Sequence, residues 1–436
     1  MNIISFIEKK REGKSHTEEE IKWFVQSCTE GHIQDYQISA WLMAGYLNGL
    51  TPQETAWLTV AMANSGKRLD LSSLPKPWID KHSTGGVGDK TTLVVLPILA
   101  ACGLTMIKMS GKGLGITGGT IDKLNSIPGF QTELTPDQMI KEAAKTGIAL
   151  SGQNADLAPA DKIFYALRDT TATVSSIPFI VSSILSKKMA GGAEAIVLDV
   201  KCGSGAFMKT KKEATKLAQA LQETAKYCGL KVSIAITDMD QPLGSMVGHA
   251  LEIKEVIQTL KDMTDCRFTD LCIGLSGLAL YTSEKASSIE SGKEMAREAL
   301  LSKKALKKAE QWMAAQGAPD DLFESPDRYL PLAPFIQEAK HHGETCWVKK
   351  WDAETVGQVV VELGGGRIEK DDQIDYAVGI QSFIETGSKV EQGSSLFHLH
   401  AKNKDAAEKA VTKLKQAIVF SSTPVETTPV FIEVLS

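Results

Sequence analysis

The chain has 436 residues, and 48 basic against 53 acidic side chains give it a net charge of −5. This length predicts about two or three domains, and a 43% hydrophobic share with 23% charged residues is typical of a globular protein. The composition excludes a small disulfide scaffold, a collagen-like rod and a disordered chain. The negative charge argues against a basic nucleic-acid-binding surface.

The cysteines and the apolar runs predict a cytoplasmic protein without a membrane partner. The cysteine number, seven, is odd, and no Cys-x-x-Cys pair occurs, which favours a reducing compartment. The basic residues near the N-terminus follow a short apolar stretch instead of preceding it, so this segment does not resemble a signal peptide. The longest apolar run, 93–104, is too short to cross a bilayer and contains a proline.

The first 66 residues are predicted to form helices. Thr17 and Thr51 each stand three residues before a glutamate, which is the capping-box pattern of a helix start. The same device, with a glutamine, occurs at Thr135 and predicts a helix that ends near Gly147.

From about residue 77 onwards, buried apolar runs alternate with helical stretches such as 215–227. Several of the apolar runs end in glycine-rich turns, at 85–88, 111–119 and 203–205. This alternation predicts a mixed, mainly parallel sheet flanked by helices. Ligands bind such sheets at the carboxyl ends of the strands, where these turns lie.

The last third of the chain changes character again. A segment with four prolines, 319–334, follows a helix rich in Lys, Ala and Glu, and we predict that it is a hinge. Short alternating strands and one helix at about 406–418 follow residue 345 and predict a C-terminal α+β domain. The predicted fold class is therefore α/β plus α+β, with a small helical domain, a larger α/β domain and a C-terminal α+β subdomain.

The first motif with chemical meaning is Lys-His-Ser-Thr-Gly-Gly-Val-Gly-Asp-Lys-Thr-Thr at 81–92, which precedes an apolar helix-like run. Glycines let backbone N–H groups converge on an anion, and the start of a helix adds positive potential. Lys81, Ser83 and Thr92 add side-chain donors. Asp89 stands where a Walker A loop has glycine, so this is not a nucleotide P-loop. A phosphate-binding loop is favoured, and a structural glycine turn is the alternative.

A second glycine-rich loop, at 110–120, contains a Gly-x-Gly-x-x-Gly pattern. A dinucleotide-binding fold needs a full helix and then a strand after these glycines, whereas Pro128 and Gly129 interrupt that space. A second phosphate-contacting loop is therefore favoured, with Ser110 and Thr120 as flanking hydroxyl groups.

The remaining candidates are one histidine and a group of polar residues in 158–188. Of the eight histidines, only His82 lies in a predicted anion loop, which favours acid–base or polarising work over a structural role. Ser183 and Lys187 are four residues apart and share one face of a helix. Arg168 is a further candidate, and a salt bridge to a neighbouring acid is its alternative role.

Together these segments closely resemble the pyrimidine nucleoside phosphorylase and thymidine phosphorylase family. The resemblance covers essentially the whole chain in the same domain order. The strings that carry it are at 81–92, 109–130, 157–179, 182–192 and 200–208. The domains that we predict are a helical domain at 1–66 completed by about 160–190, an α/β phosphate-binding domain at 67–159 and 190–335, and a C-terminal α+β domain at 345–436.

The resemblance implies reversible phosphorolysis of uridine, thymidine and deoxyuridine to the free base and (deoxy)ribose 1-phosphate. Inorganic phosphate is then the co-substrate, and no organic cofactor is needed. Catalytic roles are implied for His82, Arg168 and Lys187. Phosphate binding is implied for Lys81, Ser83, Thr92, Lys108, Ser110 and Thr120. Base binding is implied for Arg168, Ser183 and Lys187, with an apolar wall of Leu114, Val174 and Phe207.

The chain departs from the family pattern in the second glycine loop, where Lys112 and Ile116 replace an arginine and a histidine and Asn125 replaces a glutamate. A potassium site is known in this family. Its positions here are Gly88, Lys90, Leu243, Met246 and Glu255. Because Lys90 replaces a small hydroxyl residue, we expect its ammonium to replace the ion and K⁺ dependence to be slight or absent.

The family also implies a homodimer through the N-terminal helices, with Trp41, Leu42 and Tyr46 as candidate interface residues and the domain core as their alternative place. Two other functions stay open at this point. One is a phosphoribosyltransferase-like enzyme, which would need Mg²⁺ and a pyrophosphate-bearing substrate. The other is a non-catalytic member that binds nucleoside or phosphate, which the changes at Lys112 and Ile116 would favour.

Overall fold

The computed structural model describes residues 1–113, 115–153, 156–369 and 372–436, so the predicted wall residue Leu114 lies outside the described residues. The N-terminal helices are α1 (Ile3–Arg11), α2 (Glu18–Thr29), α3 (Asp35–Asn48) and α4 (Pro52–Ala63). The middle of the chain forms β1 (Ile79–Ser83), α5 (Thr91–Ala101), β2 (Met106–Met109), α6 (Thr120–Asn125), α7 (Pro136–Thr146), β3 (Ile148–Ser151), α8 (Pro159–Thr170), α9 (Ile177–Ala190), β4 (Ala195–Cys202), α10 (Lys211–Tyr227), β5 (Lys231–Asp238), β6 (Met246–Val247), α11 (His249–Lys261), α12 (Arg267–Thr282), α13 (Ile289–Leu301), α14 (Lys304–Ala315) and α15 (Pro326–Tyr329). The C-terminal part forms β7 (Phe335–Lys340), β8 (Cys346–Trp351), α16 (Ala353–Val360), a π-helical turn (Val361–Gly365), β9 (Gly379–Ser382), β10 (Lys389–Val390), β11 (Ser395–Ala401), α17 (Lys404–Gln416), β12 (Ile418–Ser421) and β13 (Phe431–Leu435).

Helices α1–α4 pack with α8 and α9 around an aromatic core that includes Phe6, Phe24 and Phe164. The capping boxes predicted from the sequence are present at the starts of α2, α4 and α7. Trp41 and Leu42 are completely buried in this core, so of the two places that the sequence left open for them, the structure favours the domain core over an intermolecular surface. Helix α3 carries apolar residues on more than one face, and the sequence alone did not show which face points inward.

The α/β domain contains a four-stranded sheet in the order β1-β4-β5-β13. Strands β1, β4 and β5 are parallel, and β13 pairs with β5 in the antiparallel direction. A separate parallel pair is formed by β2 and β3. Every residue of β4 is buried, as expected for a central strand covered by helices on both faces. The predicted fold class is confirmed.

The C-terminal domain has two antiparallel sheets, in the orders β10-β8-β12 and β6-β9-β11-β7. It exchanges strands with the α/β domain, because β6 comes from the middle of the chain and β13 returns to the first sheet. From the sequence we assigned 345–436 to one separate domain, whereas in the structure β13 belongs to the sheet of the α/β domain. The other domain boundaries remain predictions.

The segment 319–334 is packed instead of forming the predicted hinge. Leu322, Phe323 and Leu330 are buried in the main core beside α14. The four prolines of this segment indicated a break in regular structure, and the sequence pattern did not show that these three apolar residues are buried.

The seven cysteines are free thiols. Among the described residues, no helix has the length and apolar character needed to cross a membrane.

Candidate active site

The first glycine loop follows the carboxyl end of β1 and leads into α5. Asp89, which breaks the Walker A pattern, organises it. Its carboxylate accepts from the Ser83 hydroxyl at 2.5 Å and from the Thr91 hydroxyl at 2.6 Å, and the Lys81 ammonium donates to Thr91 at 2.6 Å. Burial opposes ionisation of Asp89, but Lys81 and Lys201 hold its pKa well below its ordinary value. The Asp89 carboxylate, together with the buried side chains of Lys81 and Lys201, therefore holds the loop in place.

Two buried ammonium groups share one carboxylate beside this loop. Lys188 Nζ lies 2.6 Å from Asp80 Oδ2, and Lys108 Nζ lies 3.5 Å from Asp80 Oδ1. Lys108 also donates to the carbonyl of Lys81 at 2.6 Å. Burial lowers the pKa of Lys108 to about 7, and the nearby lysines add to this effect while Asp80 opposes it. Two cations for one anion leave a positive charge that suits a bound anion.

His82 lies among these lysines. Burial, followed by the charges of Lys188, Lys108, Lys187 and Lys81, lowers its pKa well below the ordinary value. The imidazole is therefore neutral at neutral pH before an anion binds. A neutral imidazole offers one N–H donor and one acceptor nitrogen.

The helical domain contributes a second polar group from α8 and α9. Lys187 Nζ lies 2.5 Å from Asp161 Oδ2 and donates to the Ser183 hydroxyl at 2.9 Å, so the predicted pairing along one helix face is present. Arg168 donates to the carbonyls of Val174 at 2.7 Å and Phe179 at 3.1 Å. Among the described residues, these carbonyls take the place of the salt bridge that was its alternative role.

The other predicted site residues lie in the surrounding loops. Thr92 and Ser110 are buried, and Thr120 is the first residue of α6. Val174 is half-buried, whereas Phe207 is 49% exposed in the loop after β4. Lys112 is exposed in the second glycine loop.

Sequence reasoning missed the acidic partners Asp80 and Asp161 and the second lysine, Lys188. Asp161 and Lys188 stood within or beside the quoted motifs, and Asp80 immediately precedes the first one. Nothing local shows that Asp80 joins Lys108 to Lys188, because these three residues come from β1, β2 and α9. The available signal was the position of Asp80, a charged residue two places before His82 in a buried strand.

The positions implied for potassium surround the ammonium of Lys90. Its Nζ donates to the carbonyls of Leu243 at 2.7 Å, Met246 at 2.9 Å and Gly88 at 3.1 Å, and lies 2.6 Å from Glu255 Oε2. A side chain at Gly88 would place Cβ 2.7 Å from the Leu243 carbonyl oxygen, so the close approach requires glycine. These residues do not fit a potassium ion, because Nζ already lies in contact with all of these oxygens.

Comparisons with known proteins give consistent results along the chain. Residues 4–66 match the family model described as the helical bundle domain of a glycosyl transferase family, and residues 75–306 match that family's a/b domain. Residues 347–421 match the C-terminal domain of pyrimidine nucleoside phosphorylase.

Whole-length relatives carry the same name. The pyrimidine-nucleoside phosphorylase of Geobacillus stearothermophilus is 46% identical over 428 residues, which are 98% of each chain. The Bacillus subtilis (strain 168) protein of that name is 44% identical over 416 residues, or 95% of each chain. Among solved structures, anthranilate phosphoribosyltransferase from Thermus thermophilus aligns with a TM-score of 0.58 at 20% identity, covering 71% of this chain and 98% of that one. This last similarity shows the fold alone.

Proposed function

The chain belongs to the pyrimidine-nucleoside phosphorylases of the glycosyl transferase family, and we propose that it catalyses reversible phosphorolysis of pyrimidine nucleosides. An oxygen of inorganic phosphate bonds to C1′ of the sugar while the bond from C1′ to the base nitrogen breaks. The electron pair of that bond leaves with the base, which takes up a proton. The products are the free pyrimidine and (deoxy)ribose 1-phosphate. Phosphate is both co-substrate and nucleophile, and no organic cofactor takes part.

The sharing of Asp80 by Lys108 and Lys188 is the observation that carries this proposal. It leaves uncompensated positive charge beside two glycine loops. Phosphate bound there takes hydrogen bonds from the side chains of Lys81, Ser83, Thr92, Lys108, Ser110 and Thr120. Charge-assisted hydrogen bonds of this kind contribute about 1.5–3 kcal/mol each.

The base is held from the helical domain. Arg168, Ser183 and Lys187 donate to the pyrimidine carbonyls, and the two cations stabilise the negative charge that develops on the departing base. His82 lies beside the phosphate lysines and donates to a base carbonyl or delivers the proton. A bound phosphate dianion offsets the lysine charges and raises the pKa of His82, so phosphate itself prepares the proton donor. Val174 supplies apolar contact to the ring, and we keep Leu114 and Phe207 as proposals for the same wall.

We further propose that the enzyme works without potassium, as a cytoplasmic homodimer. The Lys90 contacts support the first point. The homodimer is supported by an apolar stripe on the outer face of α3, formed by Tyr36, Ala40, Met43 and Leu47. The intervals of four, three and four residues are those of a helix seam that packs on another helix. The free cysteines suit a reducing compartment.

The phosphoribosyltransferase alternative is not favoured, since relatives at 44–46% identity are named phosphorylases and the transferase shares the fold at 20%. The test follows ultraviolet absorbance of uridine and of thymidine with purified protein, with and without inorganic phosphate. We expect loss of nucleoside only when phosphate is present. Turnover only with Mg²⁺ and a phosphoribosyl pyrophosphate would favour the transferase. Phosphate-protected melting without turnover would favour a binding protein.

A further inference from the structure

Arg367 lies in the C-terminal domain, yet its contacts fall on the second glycine loop of the α/β domain. Resting on the function proposed above, we propose that Arg367 is a positioning residue that fixes this loop for phosphate binding. Neither the motifs nor the predicted site residues include it.

The contacts of Arg367 close around Gly113. Its Nη2 lies 2.8 Å from Asp122 Oδ1, and Asp122 Oδ2 accepts the N–H of Gly113 at 2.6 Å. The N–H of Gly115 donates to the Arg367 carbonyl at 3.1 Å. Asp122 is completely buried, and the Arg367 side chain is 11% exposed. Arg367 Nη1 also donates to the Gly113 carbonyl at 3.4 Å. The contacts of Arg367 with Gly113, Gly115 and Asp122 therefore form a clamp that joins the loop to the C-terminal domain through two hydrogen bonds and one buried ion pair.

The same clamp reaches the proposed phosphate ligand Thr120. Thr120 begins α6, and Asp122 lies in the first turn of that helix. An Asp122 side chain held by Arg367 thus fixes both the glycines before Thr120 and the helix turn that carries it. Glycine-rich loops lose more conformational entropy on ordering than other segments, so a prior restraint lowers the cost of ordering them around phosphate.

Apolar contacts hold the middle of the loop to the same domain. A Cβ built on Gly357 in α16 would lie 2.9 Å from Ile116 Cβ, so this glycine allows Ile116 to pack against the C-terminal domain. Ile116 is the residue that replaces the family's histidine. The cavity at this contact has a volume of about 20 Å³, which holds roughly one water molecule. This cavity is thus too small to hold a substrate, and the contact can affect phosphate binding only by fixing the position of the loop.

The C-terminal domain is itself fixed to the α/β domain, so it offers a firm anchor. Strand β6 pairs with β9, and β13 pairs with β5. The polar groups that hold the base from the helical domain lie elsewhere, on α8 and α9, and Leu114 is the one residue of the proposed apolar wall that belongs to this loop. Loss of the clamp should therefore weaken phosphate binding much more than nucleoside binding.

Steady-state kinetics of Arg367→Met, Arg367→Lys and Lys413→Met test this. Lys413 is the matched control, because it forms a 2.6 Å ion pair with Glu362 in the same domain but on an exposed surface. We expect the KM for phosphate to rise about 10-fold in Arg367→Met, since small displacements of binding groups are costly, while the KM for uridine changes less than about 2-fold. Arg367→Lys should recover part of the loss, because a lysine keeps the charge but not the planar fork. Lys413→Met should match the wild type.

Two results would contradict the proposed role of Arg367: an unchanged KM for phosphate in folded Arg367→Met, or equal changes in KM for phosphate and for uridine. If Arg367→Met does not fold, Asp122→Asn serves, since its amide oxygen still accepts from Gly113 while the ion pair is lost. The rise in Tm on adding phosphate gives a second readout that needs no turnover. A wild type that binds phosphate without turnover would contradict the proposed function, and the variants' loss of phosphate-induced Tm shift would still decide on the clamp.

Discussion

Two lysines that share Asp80 make anion binding at the candidate site depend on pH. The Lys108 pKa is lowered to about 7 in the free protein, and a bound anion raises it again. Binding above pH 7 therefore takes up a proton, and anion affinity falls as the pH rises from about 7 towards the raised pKa of the complex. Sulfate is the suitable probe, because it does not titrate in this range.

Calorimetric titration with sulfate at pH 8, in buffers of different ionisation enthalpy, measures this proton uptake. We expect uptake by the wild type and by Lys145→Met, which removes an exposed lysine on α7. Lys108→Met should bind sulfate more weakly and without that uptake. The same uptake in Lys108→Met would show that another group titrates.

The Lys187–Asp161 pair gives a prediction about the base. Replacing Lys187 with methionine removes a donor to the leaving base and leaves Asp161 without its 2.5 Å partner. We expect kcat for uridine to fall about 10²–10³-fold, the usual effect of losing one such charge-stabilising donor. Phosphate-induced stabilisation should persist. Lys162→Met, which changes an exposed lysine on α8, is the control, and an equal loss in that variant would contradict the assignment.

Residue contacts within one helix were predictable, and contacts between distant segments were not. The Ser183–Lys187 hydrogen bond follows from a spacing of four residues on a helix. The Asp161–Lys187 ion pair joins two helices, and its residues are 26 positions apart in the sequence. The Asp80–Lys188 pair joins a strand to a helix, and its residues are 108 positions apart. Local spacing contains no information about such partners, since the packing of the domains decides which charges meet.

At the scale of elements, Lys90 links the start of α5 to a segment about 150 residues later, which consists of the turn at 243–246 and the helix α11 that follows it. An ammonium fixed in this place should make bound potassium unnecessary. We expect the activity and Tm of the wild type to be the same in NaCl and KCl. A clear dependence of wild-type activity on K⁺ would contradict this.

The variant Lys90→Ser removes the ammonium group from this site. It leaves Glu255 buried without its cation, which should cost about 3–5 kcal/mol of folding stability. The carbonyl oxygens and the carboxylate that remain suit a monovalent cation, so we expect KCl to restore part of the lost Tm and choline chloride to restore none. Equal melting of this variant in both salts would show that the oxygens do not form a cation site.

Helix starts were predictable because capping boxes act locally, and all three are present at Thr17, Thr51 and Thr135. The segment 319–334 was assigned as a hinge because proline breaks regular structure. Proline does not prevent packing, however, and Leu322 and Phe323 are anchored in the core. A chain segment without regular structure is not necessarily mobile.

For the whole molecule, pairing between the domains was beyond the reach of the sequence. Strand β6 has two residues, too few to show a period, and its partner β9 lies more than 130 residues later. The terminal strand β13 pairs with β5 across an even longer separation, since Phe431 lies opposite Thr237. Strand pairing of this kind depends on the completed packing of both domains, and it fixes the C-terminal domain beside the second glycine loop.

The outer face of the helical domain yields the last prediction. Tyr36 and Leu47 on α3 are each 72% exposed, and such an apolar stripe on a helix is typical of an intermolecular surface. We expect the protein to be a dimer by light scattering, and Tyr36→Glu/Leu47→Glu to be a folded monomer, because burying like charges at the two-fold contact is unfavourable. Tyr227→Glu at the end of helix α10, an exposed site outside the apolar stripe of α3, is the control and should remain dimeric. A double variant that stays dimeric would place the contact on another face.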